Sequence, residues 1–527
     1  MERIRRTLPI AVLAGMSIAV GLPFILASRE TPSSSLPITS WGALISVTSR
    51  SLVIPMVSAL IAAVLAAAIV LFGYGVCARS IRRILFALSA IPFLFPPVIV
   101  AHAVHQWLGE PNLLLSSSLT VLPVAVAGQA LALRFIDADT LMLTRNLGLA
   151  SLSSWRLAVL PAWAKGATLA WMWGVFQLFS DPGIYEMYGG HESYLASHIL
   201  RSVSGGSPGP SVVRASILML VPTVIMAFTI TRQRFWRGTV SGRLVPQERV
   251  SDLLSQFRLP LWLSAIAGLL VLGCLATIFA TVMTIAKGAA TSAQGSMPPT
   301  ASIIPTIILI AVAVPVSAVG ALVLSMAIVH SGAIARSYGY LLVAFMVFTS
   351  PTAIGALLTA SLRVPVVLGD TTVIPAIVGG GSTAGGWIGL FLAAVAVCMP
   401  MSTLLLLGLF SLRASDSVAV ARDLGAGPMR VLMTVEFPYV MPIAIASLCV
   451  ETSALFTNLS PLVFVAPGGM ELATPQLLTL AISGQSNEAF ALAMLTGLMT
   501  LGAIVGIGAL VTVIVDSATN TRNWRRV

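Results

Sequence analysis

Charge is scarce in this chain. Only 9% of its 527 residues are Asp, Glu, Lys or Arg, against 57% hydrophobic, where soluble globular domains carry about 25% charged residues. Lysine is nearly missing: Lys165 and Lys287 are the only two, and each is followed by Gly rather than preceded by it. A phosphate-cradling loop of the form GxxxxGK[ST] needs Gly immediately before its Lys, so the chain holds no such nucleotide site. The four cysteines, Cys77, Cys274, Cys398 and Cys449, lie in or beside apolar runs without CxxC spacing, which fits structural thiols better than a metal or disulfide framework. No HExxH pattern occurs, so the familiar signature of a zinc peptidase is missing. His102 and His105 have i,i+3 spacing that could serve a metal, but no acidic or Cys partner stands beside them. Pore-lining or structural roles fit them better, and His191 and His198 are equally unspecific. No metal site is expected.

Apolar sequence is abundant instead. Runs near 20 residues recur along the whole chain, each long enough to cross a hydrocarbon core of about 30 Å as a helix. Twelve are expected: Leu8–Ala27, Ser51–Tyr74, Ile84–Gln106, Leu119–Phe135, Leu160–Ser180, Val212–Ile230, Leu259–Ile285, Ile303–Val329, Tyr338–Leu362, Trp387–Phe410, Tyr439–Phe456 and Ala489–Val515. The fold class is therefore an all-α polytopic membrane protein with the lipid bilayer as its solvent. The N-terminal "MERIRRTLPIAVLAGMSIAVGLPFILAS" imitates a signal peptide, but its apolar run is long for one, and it reads as a retained signal anchor. "GGGSTAGG" at 379–386 falls outside the membrane and reads as a flexible connection.

A net charge of +11 would suit a nucleic-acid binder if it were clustered in one domain. It is not. Segments 1–7, 75–83, 134–159, 231–258, 330–337, 411–438 and 516–527 carry 22 of the 29 lysines and arginines. These alternate along the chain as one side of a twelve-span topology, and the positive-inside rule makes that side cytoplasmic, with both termini inside. The charge is a topology signal, and no nucleic-acid partner is expected.

The chain repeats itself. Arg145-Asn-Leu147-Gly148 recurs 277 residues later as Arg422-Asp423-Leu424-Gly425. Leu160-Pro161 matches Phe437-Pro438, and Phe179-Ser180-Asp181 matches Phe456-Thr457-Asn458. The third span of each half also holds a Pro-containing stretch, "IPFLFPPVIVAHAV" and "FTSPTAIGALLTA". Two six-span units follow, 1–245 and 246–527, joined by the basic linker Thr231–Arg258. In each unit the repeated polar stretch, 137–161 and 414–438, lies on the cytoplasmic side between the fourth and fifth spans. Helix-forming residues lead to a Gly that can turn where a Cβ would hinder, and Pro then opens the next span where its missing N–H costs little. A chance Leu-Gly in an amphipathic loop accounts for one such stretch, not for two with the same Gly-to-Pro spacing.

That spacing resembles the EAA loop of ABC-importer permeases, and the duplicated chain resembles the fused type I permeases exemplified by ferric-iron and thiamine importers. The resemblance covers essentially the whole chain. The Glu-Ala-Ala opening is replaced by Met142-Leu143-Thr144 and Ala419-Val420-Ala421, while Leu424-Gly425-Ala426 keeps closest to the family pattern. The resemblance implies that Arg145, Leu147, Gly148, Leu160, Pro161, Arg422, Asp423, Leu424, Gly425, Ala426, Phe437 and Pro438 form or frame coupling helices that dock into a cytoplasmic ATPase dimer. It implies that ATP and Mg²⁺ sit on that separate subunit, with no cofactor in this chain. An extracytoplasmic solute-binding protein and a bacterial inner-membrane location complete what it implies.

Glu451 lies inside the eleventh apolar run, where a charge typically costs about 2.5–3.5 kcal/mol on insertion scales. The equivalent position in the first half is Gly174, so the repeat does not require it. It is expected either to pack hydrogen-bonded between helices or to face a translocation path, with Asp181 and Asn458 near the outer mouth. The second case points to a cationic cargo, ferric iron first and thiamine or a polyamine next. Twelve spans in two halves also suit an ion-gradient-driven secondary transporter. Against it, the loop "GYGVCARSIRR" lacks the Asp of the major-facilitator pattern. A receptor or scaffold permease without transport is a third class consistent with the sequence.

Overall fold

Most of the apolar runs are helices, and they pack into one body. The structure, a computed structural model, describes residues 2–27, 41–109, 112–133, 136, 142–143, 146–147, 153, 155–188, 194–204, 214–220, 260–295, 300–363, 365–368, 371–378, 383–412, 420–421, 423–431, 435, 437–457, 460–466 and 470–524. In the first half the helices are α1 (Glu2–Ala27), α2 (Trp41–Gly75), α3 (Arg79–Ala90), α4 (Pro97–Leu108), α5 (Leu113–Ala132), α6 (Leu160–Ser180), α7 (Pro182–Tyr188) and α8 (Leu195–Ser204). The second half holds α9 (Leu261–Gly295), α10 (Ile303–Val329), α11 (Ala333–Phe348) and α12 (Pro351–Leu362), then α13 (Thr383–Leu412), α14 (Phe437–Thr457), α15 (Ser460–Val465), α16 (Ala473–Ile482) and α17 (Ser486–Trp524). A two-stranded antiparallel ribbon, β1 (Val366–Leu368) and β2 (Thr371–Ile374), interrupts the helices in the long loop before α13.

Among the described residues six helices, lying within α2, α5, α9, α10, α13 and α17, are long and apolar enough to cross a membrane, or eight spans if each of two bent pairs counts as one. α1, α6 and α14 cover three more of the expected runs. Of Val212–Ile230 only residues 214–220 are described, and they are helical. The chain is a helical membrane protein.

The third run of each half departs from expectation. Ile84–Gln106 and Tyr338–Leu362 are not continuous helices: Arg79–Leu94 bends by 101° from Pro97–Leu108, and Ala333–Val347 by 91° from Pro351–Leu362. The cause is local. Proline has no N–H to continue the ladder and pushes the preceding residue out of the helical region. Phe95 (ψ 144°) and Pro96 (ψ 140°) are extended before Pro97, as are Thr349 (ψ 122°) and Ser350 (ψ 132°) before Pro351.

Packing follows the same plan in both halves. α2, α5 and α6 form one three-helix group, and α10, α13 and α14 another. The first helix of each half crosses over: α1 packs on α10, α11 and α12, while α9 packs on α2 and α4. Lipid tails are as apolar as leucine, so helix association in a membrane depends on close approach through small residues. α5 and α6 meet that way. A Cβ on Gly128 would lie 3.3 Å from Ala170, and one on Gly166 only 2.2 Å from the Ala132 methyl. Each helix thus presents a small-xxx-small pair to the other. Gly166→Leu should force α5 and α6 apart and cost about 3 kcal/mol or more. The check is thermal unfolding in detergent, where a melting temperature equal to the parent's would refute this contact as a stabilising one.

Candidate functional site

The described residues of the repeated stretches include short turns of helix bearing exposed apolar side chains. Between α5 and α6, the Leu147 N–H donates to the Leu143 carbonyl at 3.0 Å; between α13 and α14, the Leu424 N–H donates to the Val420 carbonyl at the same 3.0 Å. These residues are equivalent under the 277-residue shift. All four side chains face outward: Leu143 is 58% exposed, Leu147 67%, Val420 55% and Leu424 82%. A matched pair of exposed apolar residues thus stands at equivalent places in the two halves.

Gly425 ends the second turn. Its φ is +78°, the left-handed conformation that costs other residues energy. The Ala426 N–H then reaches back to the Ala421 carbonyl at 3.0 Å, the six-to-one bond of a Schellman cap. Asp423 is exposed beside it and Ala426 is half-buried. One further turn of helix follows, Pro428–Val431, and Phe437 and Pro438 open α14. Arg145, Gly148 and Arg422 lie outside the described residues.

The first stretch is anchored to the helices behind it. Trp155–Val159 forms a π-helical turn that buries Trp155 and Val159 and leaves Leu157 exposed. Leu160 and Pro161 continue it as the first turn of α6, Leu160 exposed and Pro161 half-buried. Trp155 meets Trp163 edge-on with ring centroids 6.3 Å apart. The Trp163 indole N–H donates to Gln129 Oε1 at 3.1 Å, and Gln129 Nε2 donates to the Ala63 carbonyl at 2.9 Å. Two hydrogen bonds thus link the start of α6 to α5 and α2.

Of the expected path residues, Glu451 and Asp181 are described, and each has its own local partners. Glu451 is 1% exposed and lies between α13 and α14, where Ser402 Oγ donates to its Oε1 and Cys398 Sγ approaches its backbone carbonyl at 3.9 Å. Its Oε2 has no partner among the described residues. Glu451 is thus packed and hydrogen-bonded through one carboxyl oxygen. Asp181 Oδ1 accepts the Gly183 N–H at 2.8 Å and so caps α7. Asn458 lies outside the described residues.

Two features had no clear sequence signal. The breaks at Pro96-Pro97 and Ser350-Pro351 occupy equivalent places in the two halves, and paired interrupted helices mark transport paths in many transporter folds. The Pro residues were visible, but the loss of continuity was not. His102 ties the halves together: Tyr188 of α7 meets its Nδ1 at 2.6 Å, Ser486 at the start of α17 meets its Nε2 at 2.8 Å, and Phe490 lies 5.2 Å from the ring. The tyrosine and serine partners lie 86 and 384 residues away in sequence. His198 in α8 is pushed below the usual imidazole range by burial first and by Arg201 second, and its Nε2 has no partner among the described residues. It is a packed neutral side chain. His191 is outside the described residues, and no group of three or more His, Cys, Asp or Glu that could hold a metal occurs among those described.

Geometry and composition define a membrane-embedded helical protein with two equivalent exposed turns. Compared with known proteins, the chain matches no family model, no curated protein and no solved structure.

Two outcomes follow from these contacts. A Cβ on Gly425 meets nothing within 4 Å, so Gly425→Val strains only the backbone, by about 1–3 kcal/mol, whereas Gly425→Asn is tolerated better because Asn visits this conformation. Limited proteolysis of membranes should show faster cleavage at 420–431 in the Val variant at unchanged membrane abundance; equal cleavage in both variants would contradict it. Removing the His102 side chain leaves Tyr188 and Ser486 without their shared partner, at about 1–3 kcal/mol. In a thermal-unfolding double-mutant cycle, His102→Ala and Ser486→Ala should be non-additive; strict additivity would show that the bond contributes nothing.

Proposed function

We propose that the chain is the permease subunit of an ATP-driven ABC importer, built of twelve spans in two six-span units. The observation that carries this reading is the matched pair of exposed turns, Leu143/Leu147 and Val420/Leu424, at equivalent places in the duplicated chain. Each turn serves as a coupling helix seated in one subunit of a cytoplasmic ATPase dimer. ATP-driven closure of that dimer draws the turns together. Motion passes through Trp155, Trp163 and Gln129 in the first half and through the start of α14 in the second. The path between the halves then alternates between inward and outward access. An extracytoplasmic binding protein delivers the solute, and both termini stay on the cytoplasmic side of a bacterial inner membrane.

The cargo reading, a small cationic solute with ferric iron first and thiamine or a polyamine next, rests on the resemblance to fused permeases. Glu451 adds little to it, since its carboxyl is held by Ser402 inside helix packing. A second reading has its own support: two interrupted helices in corresponding positions also suit an ion-gradient-driven transporter.

The two readings part on the ATPase. The purified chain alone should hydrolyse no ATP, and it should co-purify with an ATPase subunit whose activity rises on association. Leu424→Asp and Leu147→Asp each place a charge in the docking groove and should weaken that association at least tenfold, with membrane abundance unchanged. Hydrolysis by the single chain, or solute uptake that persists when the ATPase is absent, would overturn the importer reading; the second result favours the gradient-driven one.

A further inference from the structure

α3 has three distinct sides. At 3.6 residues per turn, Arg82, Leu85 and Ser89 fall on one side and are buried against α2, α5 and α9. On that side Arg82 stacks its guanidinium 4.5 Å from the centre of the Tyr74 ring. Ile81, Ile84 and Leu88 fall on a second side and are exposed. Arg79 and Arg83 fall on a third, roughly opposite the exposed apolar edge, and are also exposed. A soluble loop has no reason to expose three large aliphatics, and a spanning helix has no reason to carry exposed arginines through its length.

Orientation supplies the explanation. α4 packs alongside α5 and α9, both long and apolar enough to span, so α4 runs with the spans. The 101° bend at Phe95–Pro96 then lays α3 close to the membrane plane. A helix lying there with an apolar edge below and a basic edge above has the form of an interfacial amphipathic helix. The basic edge belongs to the same set of segments whose positive charge marks the cytoplasmic side, the side that carries anionic lipid.

We propose that α3 lies in the headgroup layer of the cytoplasmic leaflet, its Ile81–Ile84–Leu88 edge among the acyl chains and Arg79 and Arg83 on the headgroups of anionic phospholipids. The occupant of this surface is lipid. A basic residue near an anionic surface favours it by about fivefold, so two arginines give a measurable preference. The inference does not depend on what the protein transports.

The test uses the full chain with Ile84 replaced by a photo-reactive benzophenone amino acid, reconstituted in nanodiscs of equimolar phosphatidylglycerol and phosphatidylcholine. Crosslinks should fall on lipid, with phosphatidylglycerol favoured at least fivefold. Adding Arg79→Gln and Arg83→Gln should bring the ratio close to one while total lipid crosslinking stays the same. Crosslinks that fall on protein would overturn the placement of α3. A ratio near one in the arginine-bearing chain, or a preference that survives the double substitution, would overturn the role of the basic edge. Free inorganic phosphate added in excess should leave the ratio unchanged, because the site is made by the membrane surface as well as by the charge.

Discussion

Hydrocarbon offers no hydrogen bonds, so any backbone that leaves the helix inside a membrane must be covered by protein. The two Pro-induced breaks make this the governing constraint. Leu94 and Phe95 lie against Gly497 of α17, where a Cβ would come within 3.0 Å of Phe95 and 3.4 Å of the Leu94 carbonyl. Thr352, just after the second break, donates its hydroxyl to the Ser180 carbonyl at the end of α6. Each break is thus closed by a helix of the opposite half. The crossing of α1 and α9 onto the opposite halves has the same sense, as does His102 with Ser486. Neither half completes its own interior.

This interdependence explains why small residues gather where they do. Close approach brings backbones together in α5 and α6, and polar side chains buried there turn back on the chain for partners. Thr48, Ser180, Ser317 and Thr403 each donate to the carbonyl four residues earlier, which satisfies a hydroxyl in apolar surroundings without a second helix. Others bond across helices, as Gln129 does to the Ala63 carbonyl, Thr352 to the Ser180 carbonyl and Ser402 to Glu451. Charge is sparse in the interior, with Arg82 and Glu451 the buried examples among the described residues.

Much of this could be read from residue order alone. Apolar runs located most of the helices, to the residue for α6 and α10 and within four residues for α13 and α14, whereas α2, α9 and α17 run nine or ten residues beyond one end, because length and hydropathy decide spanning but not where a helix stops. The repeat located both exposed turns, and Gly425 has the turn conformation its place in that repeat calls for. The breaks were harder. Pro55, Pro123, Pro315 and Pro400 all sit inside continuous helices, so proline by itself does not stop a helix in a protein interior; the Pro96-Pro97 pair and the opposite half's readiness to cover the gap decided the outcome. His102 was visible only as an unspecific residue, because its partners come from distant segments. Glu451 was recognised as costly, but only packing shows that Ser402 shares its carboxyl.

The crossover of α1 also sets an order of events during synthesis. α1 is made well before the surface it covers, since α10, α11 and α12 do not exist until much of the second half has been translated. At typical elongation rates that wait lasts roughly tens of seconds. In the meantime α1 carries Pro9 and Pro23 and has only lipid or the biogenesis machinery for company. A contact that joins the two halves thus waits on chain that is still being made, and the fold closes like a belt whose buckle left the ribosome before its strap.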